Sequence, residues 1–488
     1  MLDRKLGSTP IGARPSPPRA TLAVALLAAL LAAGVRIPPA LGYPLWQDEV
    51  ASARILVEPS PGDALGRVAE TESTPPVWYV LGWAAHNAGL SVEAVRFLSV
   101  LAGALTAALV VVYARRVLPL WAAGTAGLVA ALGAQLVARG HELRAYALFA
   151  LLSVAFAFAL EAAAARPDRL RLLALGACVA VGILTHYFFA LLVVAGLLWA
   201  RSLRLTAACV AGLAPFLLWL PWFLDQYQND RFSWIEGFDL LKALSVYSAF
   251  FWNPGPLYVT TADVGLSAGE AVARVAVLVV VLAGSWVLAR TETGRLAAAL
   301  AVLPVTLAAV FWLAGADVFT TRNVLCAAPF ACVAVAAALA ALPRPAAIVA
   351  GVAAVGLAAA GLAHERTLAP PDYERLADAL VAEGWRFGDP VAVFGGAHEH
   401  VQLGSAYALR SPVAWYLPGH PFLRLPREDA GCDDAFVLAP PGRAGGVLAP
   451  GDEGRTVDEM RVVRTPCEPG LAERVEEDGG YWFVPTRD

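Results

Sequence analysis

Long apolar runs separated by short charged breaks fill the first three quarters of the chain. They cover 21–42, 94–114, 120–138, 143–165, 170–185, 187–203, 204–224, 266–290, 296–315, 321–342 and 345–363. A helix needs about 20 apolar residues to cross the hydrocarbon layer, so these runs read as membrane-spanning helices. The first lacks a small-residue cleavage site followed by a soluble domain, and reads as a retained helix, not a removed signal peptide. A further stretch, 75–90, opens on Pro75-Pro76, which suit a helix start because their missing N–H groups would be unpaired there anyway. It is short for a crossing and reads as a re-entrant or interfacial helix. Basic residues mark alternate ends of the runs: Arg115 and Arg116, then Arg166, Arg169 and Arg171, then Arg201 and Arg204, then Arg290 and Arg295, then Arg344. The positive-inside rule puts those ends in the cytoplasm. The N-terminal tail joins them there, with Arg4, Lys5, Arg14 and Arg19 among several prolines. Eleven crossings follow, and the C-terminus lies outside.

The polar segments are unequal. Residues 43–74 carry Asp48, Glu49, Arg54, Glu58, Asp63, Arg67, Glu70 and Glu72. Residues 225–265 form a second external loop crowded with Phe232, Trp234, Phe238, Tyr247, Phe251, Trp252 and Tyr258. These aromatics are either an interfacial belt or a lipid-facing rim over a site. From 364 onward no apolar run reaches spanning length. Residues 372–380 have helical periodicity with Gly384 as a stop, and 391–394, 435–438 and 481–484 are strand candidates. Gly395-Gly396 after a strand is too little for a nucleotide-binding fingerprint. The expected architecture is an all-α polytopic membrane protein of about 11–13 transmembrane helices with a small α/β extracytoplasmic C-terminal domain. Its parts are a cytoplasmic tail (1–20), a transmembrane module (21–363) with its first external loop at 43–92, and the C-terminal domain (364–488).

Composition sharpens the class. Of 488 residues, 58% are hydrophobic and 16% charged, against about 25% charged for soluble globular chains. Mean hydropathy is +0.62. The net charge of −4 discriminates nothing, and no basic, aromatic-interleaved surface points to nucleic acid. Ala/Gly/Arg-rich, Lys-poor usage hints at a GC-rich bacterial genome. Cys178, Cys209, Cys326 and Cys332 lie in apolar runs and read as small core residues. Cys432 and Cys467 lie in the polar tail, where an oxidising compartment would let them pair.

The candidate chemistry is an acidic pair, Asp48-Glu49, directly after the first run. Two carboxylates there are either an ordinary solvated helix start or a costly, functional charge held against the bilayer. Arg96, Arg139, His141, Glu142, Arg144, His186, Tyr187, Asp225, Arg231, Asp317 and Arg322 fall on the same external side from segments far apart in sequence, which indicates a pocket. No Walker A run, zinc-protease motif or serine-hydrolase elbow is present. A carboxylate to activate an acceptor hydroxyl and arginines to hold an anionic leaving group fit group transfer.

The chain resembles glycosyltransferase family 39 of the polytopic C-type (GT-C) glycosyltransferases, which includes protein O-mannosyltransferases and bacterial lipid A aminoarabinose transferases. The matching pieces are Asp48-Glu49; Thr74-Pro75-Pro76-Val77-Trp78-Tyr79 in the place of a His-Pro-Pro segment; and Glu93-Ala94-Val95-Arg96-Phe97-Leu98-Ser99. Gly140-His141-Glu142-Leu143-Arg144-Ala145-Tyr146-Ala147 is similar to an Arg-Glu-x-Arg-x-Tyr-Ala motif, and Thr185-His186-Tyr187-Phe188 and Thr321-Arg322-Asn323-Val324-Leu325 to later landmarks. The resemblance spans about 20–365. Thr74 stands where His is common and Asn323 where Tyr is common, which bears on sugar or acceptor identity more than on reaction class. The resemblance implies an integral-membrane enzyme of the cell envelope. It would move a sugar from a polyprenyl-phosphate donor to a protein, glycan or lipid acceptor on the external face, with no nucleic-acid partner. It implies Asp48 as catalytic base and Glu49 orienting the acceptor or a divalent metal, which some relatives use. Arg96, Arg144 and Arg322 would hold the donor phosphate, and Pro75, Tyr79, His141, Glu142, His186 and Tyr187 would line the substrate site. Each arginine is as readily a buried ion pair or a snorkelling side chain, and each histidine a satisfied core residue. A transporter or flippase of a lipid-linked saccharide, or a non-catalytic subunit with this fold, are the other readings. Transporters often show inverted repeats, and this chain has no visible internal repeat.

Overall fold

The computed structural model describes residues 18–228, 238–252, 268–316, 319–365, 372–394, 412–424, 434–439, 444, 447–448, 454–457, 460–478 and 480–486. In chain order its helices are α1 (Pro18–Gly42), α2 (Gln47–Leu56), α3 (Pro61–Thr71), α4 (Val77–Asn87), α5 (Arg96–Ala114), α6 (Leu120–Leu132), α7 (Ala134–Ala138), α8 (Tyr146–Ala165), α9 (Arg169–Ile183) and α10 (Phe189–Ala200). There follow α11 (Leu203–Gly212), α12 (Phe216–Gln228), α13 (Leu240–Phe251), α14 (Ala268–Ala289), α15 (Arg295–Leu313), α16 (Ala328–Ala340), α17 (Arg344–Glu365), α18 (Tyr373–Ala382), α19 (Pro412–Tyr416) and α20 (Leu471–Glu477). The chain divides into two compact units, 1–41 with 56–368, and 42–55 with 369–488.

The first unit is helical throughout. Six helices, drawn from α1, α5, α8, α14, α15 and α17, are long and apolar enough to cross a membrane. They are apolar because a spanning helix meets lipid or other helices on every side, and helical because lipid offers no partner to a stray backbone group. Tight packing rests on small residues. A Cβ on Gly284 of α14 would lie 1.8 Å from the Ala334 carbonyl oxygen of α16, and one on Gly212 of α11 would lie 2.4 Å from that of Gly176 in α9. Close backbone approach of this kind is how membrane helices associate without a hydrophobic drive between them.

Several runs are less regular than their sequence suggests. The 204–224 run is a bent pair, α11 and α12, angled by 66° across a short break that contains Pro215. It would make a seventh crossing if it is one span. The 120–138 run breaks at Gly133 into α6 and the five-residue α7. Residues 170–185, 187–203 and 321–342 likewise form short helices of 15, 12 and 13 residues. The 225–265 stretch is more than a loop. It contains α13, where Tyr247 and Phe251 are buried core residues together with Phe250, so Tyr247 and Phe251 are neither belt nor rim. Phe232, Trp234 and Tyr258 lie outside the described residues, as do Arg231 and Asp317. At 11 residues, α4 spans about 16 Å at the helical rise and is too short to cross.

The second unit is an α/β fold. Its six-stranded sheet has the order β2-β6-β1-β3-β5-β4, with β1 Val391–Phe394, β2 Phe422–Arg424, β3 Asp434–Ala439, β4 Arg455–Val457, β5 Met460–Pro466 and β6 Gly480–Thr486. Among the described residues, β1 and β3 pair in parallel and the other ladders are antiparallel. Val391, Phe436, Leu438 and Val462 face one core with Leu376 and Leu380 of α18, while Ala392, Phe394, Val437 and Val463 face another with Leu471 and Val475 of α20. Alternate strand residues therefore feed opposite faces. Gly384, at φ +98, ends the α18 region as expected. The edge strands β2 and β4 are three residues each, too short to carry an alternation signal. Cys467 is disulfide-bonded; Cys432 lies outside the described residues.

Candidate functional site

In the first unit, the turn after α7 and the start of α8 gather the polar groups. Arg144, buried at 4% exposure of its side chain, donates from Nη1 to the Oε2 of Glu72 at 2.8 Å, and the Glu72 side chain is fully buried. Tyr79 of α4 donates its hydroxyl to the same oxygen at 2.8 Å, and Thr74 shares a 2.7 Å hydrogen bond with that hydroxyl. Arg144 also lies over the Tyr79 ring at 5.9 Å. One buried carboxylate thus joins the Thr-Pro-Pro segment to the arginine motif 72 residues on. Pro75 and Pro76 are buried at the head of α4, and the Val77 N–H reaches the Leu184 carbonyl at 2.9 Å. That bond brings the 185–188 turn to the same end.

Around Tyr146 a second set forms. The Arg139 and Arg322 guanidiniums lie over its ring at 5.7 and 5.9 Å. Arg139 pairs with Glu142 at 2.5 Å. His186 stacks on Phe149 at 4.3 Å between centroids and tilts against Tyr146 at 5.7 Å. Its Nδ1 accepts the Phe188 N–H at 3.4 Å, which places the ring proton on Nε2, and Nε2 is buried without a hydrogen-bond partner among the described residues. Burial pushes this imidazole down to about 3, and the charges of Arg322 and then Arg144 push the same way. The ring is a neutral N–H donor in the field of two guanidiniums, a combination that suits an anion or a sugar oxygen. Tyr187, half-buried, accepts from Trp219 Nε1 at 2.8 Å and donates to Gln226 at 2.7 Å, tying the turn to α12.

Arg96 belongs to a neighbouring cluster. It is 1% exposed and donates to the Ala40 carbonyl at 3.3 Å. His141, whose Nδ1 meets the Val137 carbonyl at 2.9 Å, is pushed down to about 3 by burial, with the charges of Arg96, Arg36 and Arg139 adding to it. The three arginines singled out in the sequence therefore divide. Arg144 and Arg322 share His186, whereas Arg96 shares His141 with Arg36. Sequence reasoning passed over Arg36, although an arginine inside an apolar run was the signal. It is 1% exposed and donates to the carbonyls of Ala32, Ala131 and Leu136 at 2.8–2.9 Å. The last two carbonyls flank the α6–α7 break, where the helix leaves them without partners. Gly140 is glycine because a Cβ there would lie 2.3 Å from Arg36 Nε. Arg36 thereby fixes the start of the turn that carries His141, Glu142 and Arg144.

In the second unit, Asp48 and Glu49 form the first turn of α2, both buried at 6% and 2% exposure. Glu49 Oε2 accepts the Trp46 N–H at 3.4 Å, while the Trp46 carbonyl accepts the N–H groups of Glu49 and Val50 at 2.8 and 3.0 Å. The third helical residue reaching back to the cap N–H is half of a capping box. Negative charge in this turn also faces the positive end of the helix dipole. Ser52 Oγ donates to the Asp48 carbonyl at 3.2 Å. Among the described residues no three His, Cys, Asp or Glu side chains gather as a metal set.

Residues 73–223 match the model of the dolichyl-phosphate-mannose-protein mannosyltransferase family. No curated protein matches the chain in sequence. Among solved structures, ArnT from Cupriavidus metallidurans in the apo state superposes with a TM-score of 0.53 at 15% identity, over 91% of this chain and 97% of that one. The same protein bound to undecaprenyl phosphate gives the same values. The Archaeoglobus fulgidus oligosaccharyltransferase in the apo form superposes at 0.50 with 14% identity, over 75% of this chain and 58% of that one. The matched segment, which holds Glu72–Tyr79 only from residue 73 but all of the 139–146 turn and His186, agrees with the fold and with the landmarks in the sequence. Together they bear out the resemblance to glycosyltransferase family 39 over residues 73–223, and the chain has the fold of these GT-C-type membrane proteins.

Proposed function

We propose that the protein transfers a sugar from a polyprenyl-phosphate donor to a hydroxyl-bearing acceptor on the extracytoplasmic face of the cell membrane. The observation that carries this reading is the pairing of Arg144 and Arg322 around the neutral His186, whose Nε2–H has no partner among the described residues. Two guanidiniums and a neutral donor suit a lipid phosphate, which a guanidinium fork meets through two oxygens. That a solved structure of this fold is bound to undecaprenyl phosphate supports the choice of carrier.

In this mechanism Asp48 accepts the proton of the acceptor hydroxyl as its oxygen attacks the anomeric carbon. The bond from that carbon to the phosphate oxygen breaks, and the polyprenyl phosphate leaves with both bonding electrons. Arg144 and Arg322 stabilise the charge that grows on it, so they act on turnover as well as on affinity. Glu72 holds Arg144 in place. Glu49 caps the helix that presents Asp48. Tyr79, Pro75, His141, Glu142 and Tyr187 shape the substrate site, and Arg96 anchors its margin. The alternation of arginine-bearing ends supports a cytoplasmic N-terminus and an external C-terminal domain, and the Cys467 disulfide suits an oxidising compartment.

The test is purified protein with a panel of polyprenyl-phosphate sugars and a mixed acceptor extract. Release of free polyprenyl phosphate with sugar gained by an acceptor is expected. Movement of intact lipid-linked sugar across a vesicle bilayer without release would favour a flippase instead.

A further inference from the structure

The C-terminal residues 369–488 and the short segment 42–55 fold as one unit, although more than 300 residues separate them. The contacts that join them sit on both sides of the acidic pair. Three residues before Asp48, the Leu45 N–H donates to the Tyr416 hydroxyl at 2.8 Å. Six residues after it, Arg54 donates from Nη1 to the His420 carbonyl at 3.2 Å and from Nη2 to the Pro421 carbonyl at 2.9 Å. The same guanidinium lies over the Trp415 ring at 5.9 Å.

The gripping surface is built for rigidity. Val413 of α19 and Leu417 just after it are buried in the domain core, and Tyr416 packs against that core while its hydroxyl meets Leu45. Gly419 and His420 both adopt positive φ, +80 and +45. Positive φ is uncommon for a non-glycine residue, and here the turn holds it. The His420 ring stacks on Trp415 at 4.7 Å between centroids. This turn directs two successive carbonyls to one guanidinium, and a planar fork matches two fixed acceptors where an ammonium would not.

We infer that the C-terminal domain is a positioning device for the acidic pair, with Tyr416 and the His420–Pro421 carbonyls clamping both ends of the helix that carries Asp48. The inference rests on the reading of Asp48 as the base. None of the clamping groups touches the reacting atoms; they hold the carboxylate where the acceptor must meet it, and small displacements of such a group cost rate steeply.

The experiment uses the full-length protein in lipid nanodiscs, as wild type, Tyr416→Phe, Arg54→Lys and Arg54→Met. Hydrogen–deuterium exchange of amides 45–56 should quicken about tenfold in Arg54→Met and less in the other two, while amides of 391–394 and 434–439 stay protected. Turnover should fall by about tenfold in Arg54→Met, with donor-lipid affinity unchanged, and Arg54→Lys should recover only part of it. Unchanged exchange at 45–56 in all three variants overturns the clamp, whatever the activity. Loss of protection across the sheet in Arg54→Met would shift the decision to Tyr416→Phe, which removes one hydroxyl and must still quicken 45–56 selectively. A wild type inactive on every donor would refute the proposed function and leave the exchange result to stand for the clamp alone.

Discussion

Removing Glu72 tests how the arginine motif is held. Its carboxylate is fully buried, meets Arg144 at 2.8 Å and accepts the Tyr79 hydroxyl on the same oxygen at 2.8 Å. Breaking a buried ion pair from one side leaves an uncompensated charge and costs about 3–5 kcal/mol. That is about a fifth or more of a typical domain's stability of about 5–15 kcal/mol. Glu72→Ala and Arg144→Met should each lose this much. The double variant removes both charges, so it should be more stable than the sum of the single losses predicts, by about 2–3 kcal/mol. Equilibrium unfolding in mixed detergent micelles gives all four corners of the cycle. Donor binding measured on the same samples should fall in Glu72→Ala although Glu72 is proposed to touch no phosphate, because Arg144 loses its anchor. If the two losses add to within about 0.5 kcal/mol, the pair is not coupled and Arg144 is held by something else.

Three further outcomes follow. For Arg144 and Arg322, Lys should retain part of donor binding and turnover and Ala almost none, with Arg96 variants affecting both less; six single variants that all match wild type would place the phosphate elsewhere. His186, whose folded pKa lies near 3 against about 6.5 unfolded, contributes stability that is complete above about pH 6.5 and declines as pH falls, by about 1.4 kcal/mol per unit. Unfolding at pH 5 should therefore show about 2 kcal/mol less stability than at pH 7.5 from this group, a loss that His186→Gln abolishes; parallel pH profiles would contradict it. A single cysteine in the C-terminal domain, with Cys432 and Cys467 removed, should react with an impermeant thiol reagent in intact cells and one beside Arg116 should not; reversed labelling would invert the topology.

The apolar pattern was enough to make this a helical membrane protein, because a spanning helix writes its length directly into hydropathy. It did not show that 204–224 bends or that 120–138 breaks at Gly133, since neither interruption interrupts the apolar run. The helix α13 was hidden because its aromatics, Tyr247, Phe250 and Phe251, look the same at an interface as in a core. In the C-terminal domain, the strands legible in the sequence were central or longer ones such as β1 and β3, where burial on both faces leaves continuous apolar runs. The three-residue strands β2 and β4 carry too few positions for a pattern. Candidate site residues in local motifs, such as Arg144 and His186, could be proposed from order and spacing. Their partners could not: Glu72 looked like one charge among eight in a polar loop, and Arg36 like an exception in an apolar run, until the fold set them beside Arg144 and the α6–α7 break. The clamp on α2 joins residues far apart in the chain through backbone carbonyls, which leave no mark in sequence.

Asp48 is proposed as the base of a glycosyl transfer from a polyprenyl-phosphate donor. Its most direct test is turnover of radiolabelled donor by Asp48→Asn beside wild type, with donor-lipid binding measured on both. The side chain is nearly isosteric, so folding and donor binding should persist while transfer falls by at least the factor of about 10²–10⁴ typical of a lost general base. Transfer by Asp48→Asn within a few-fold of wild type, with donor binding intact, would rule out Asp48 as the base.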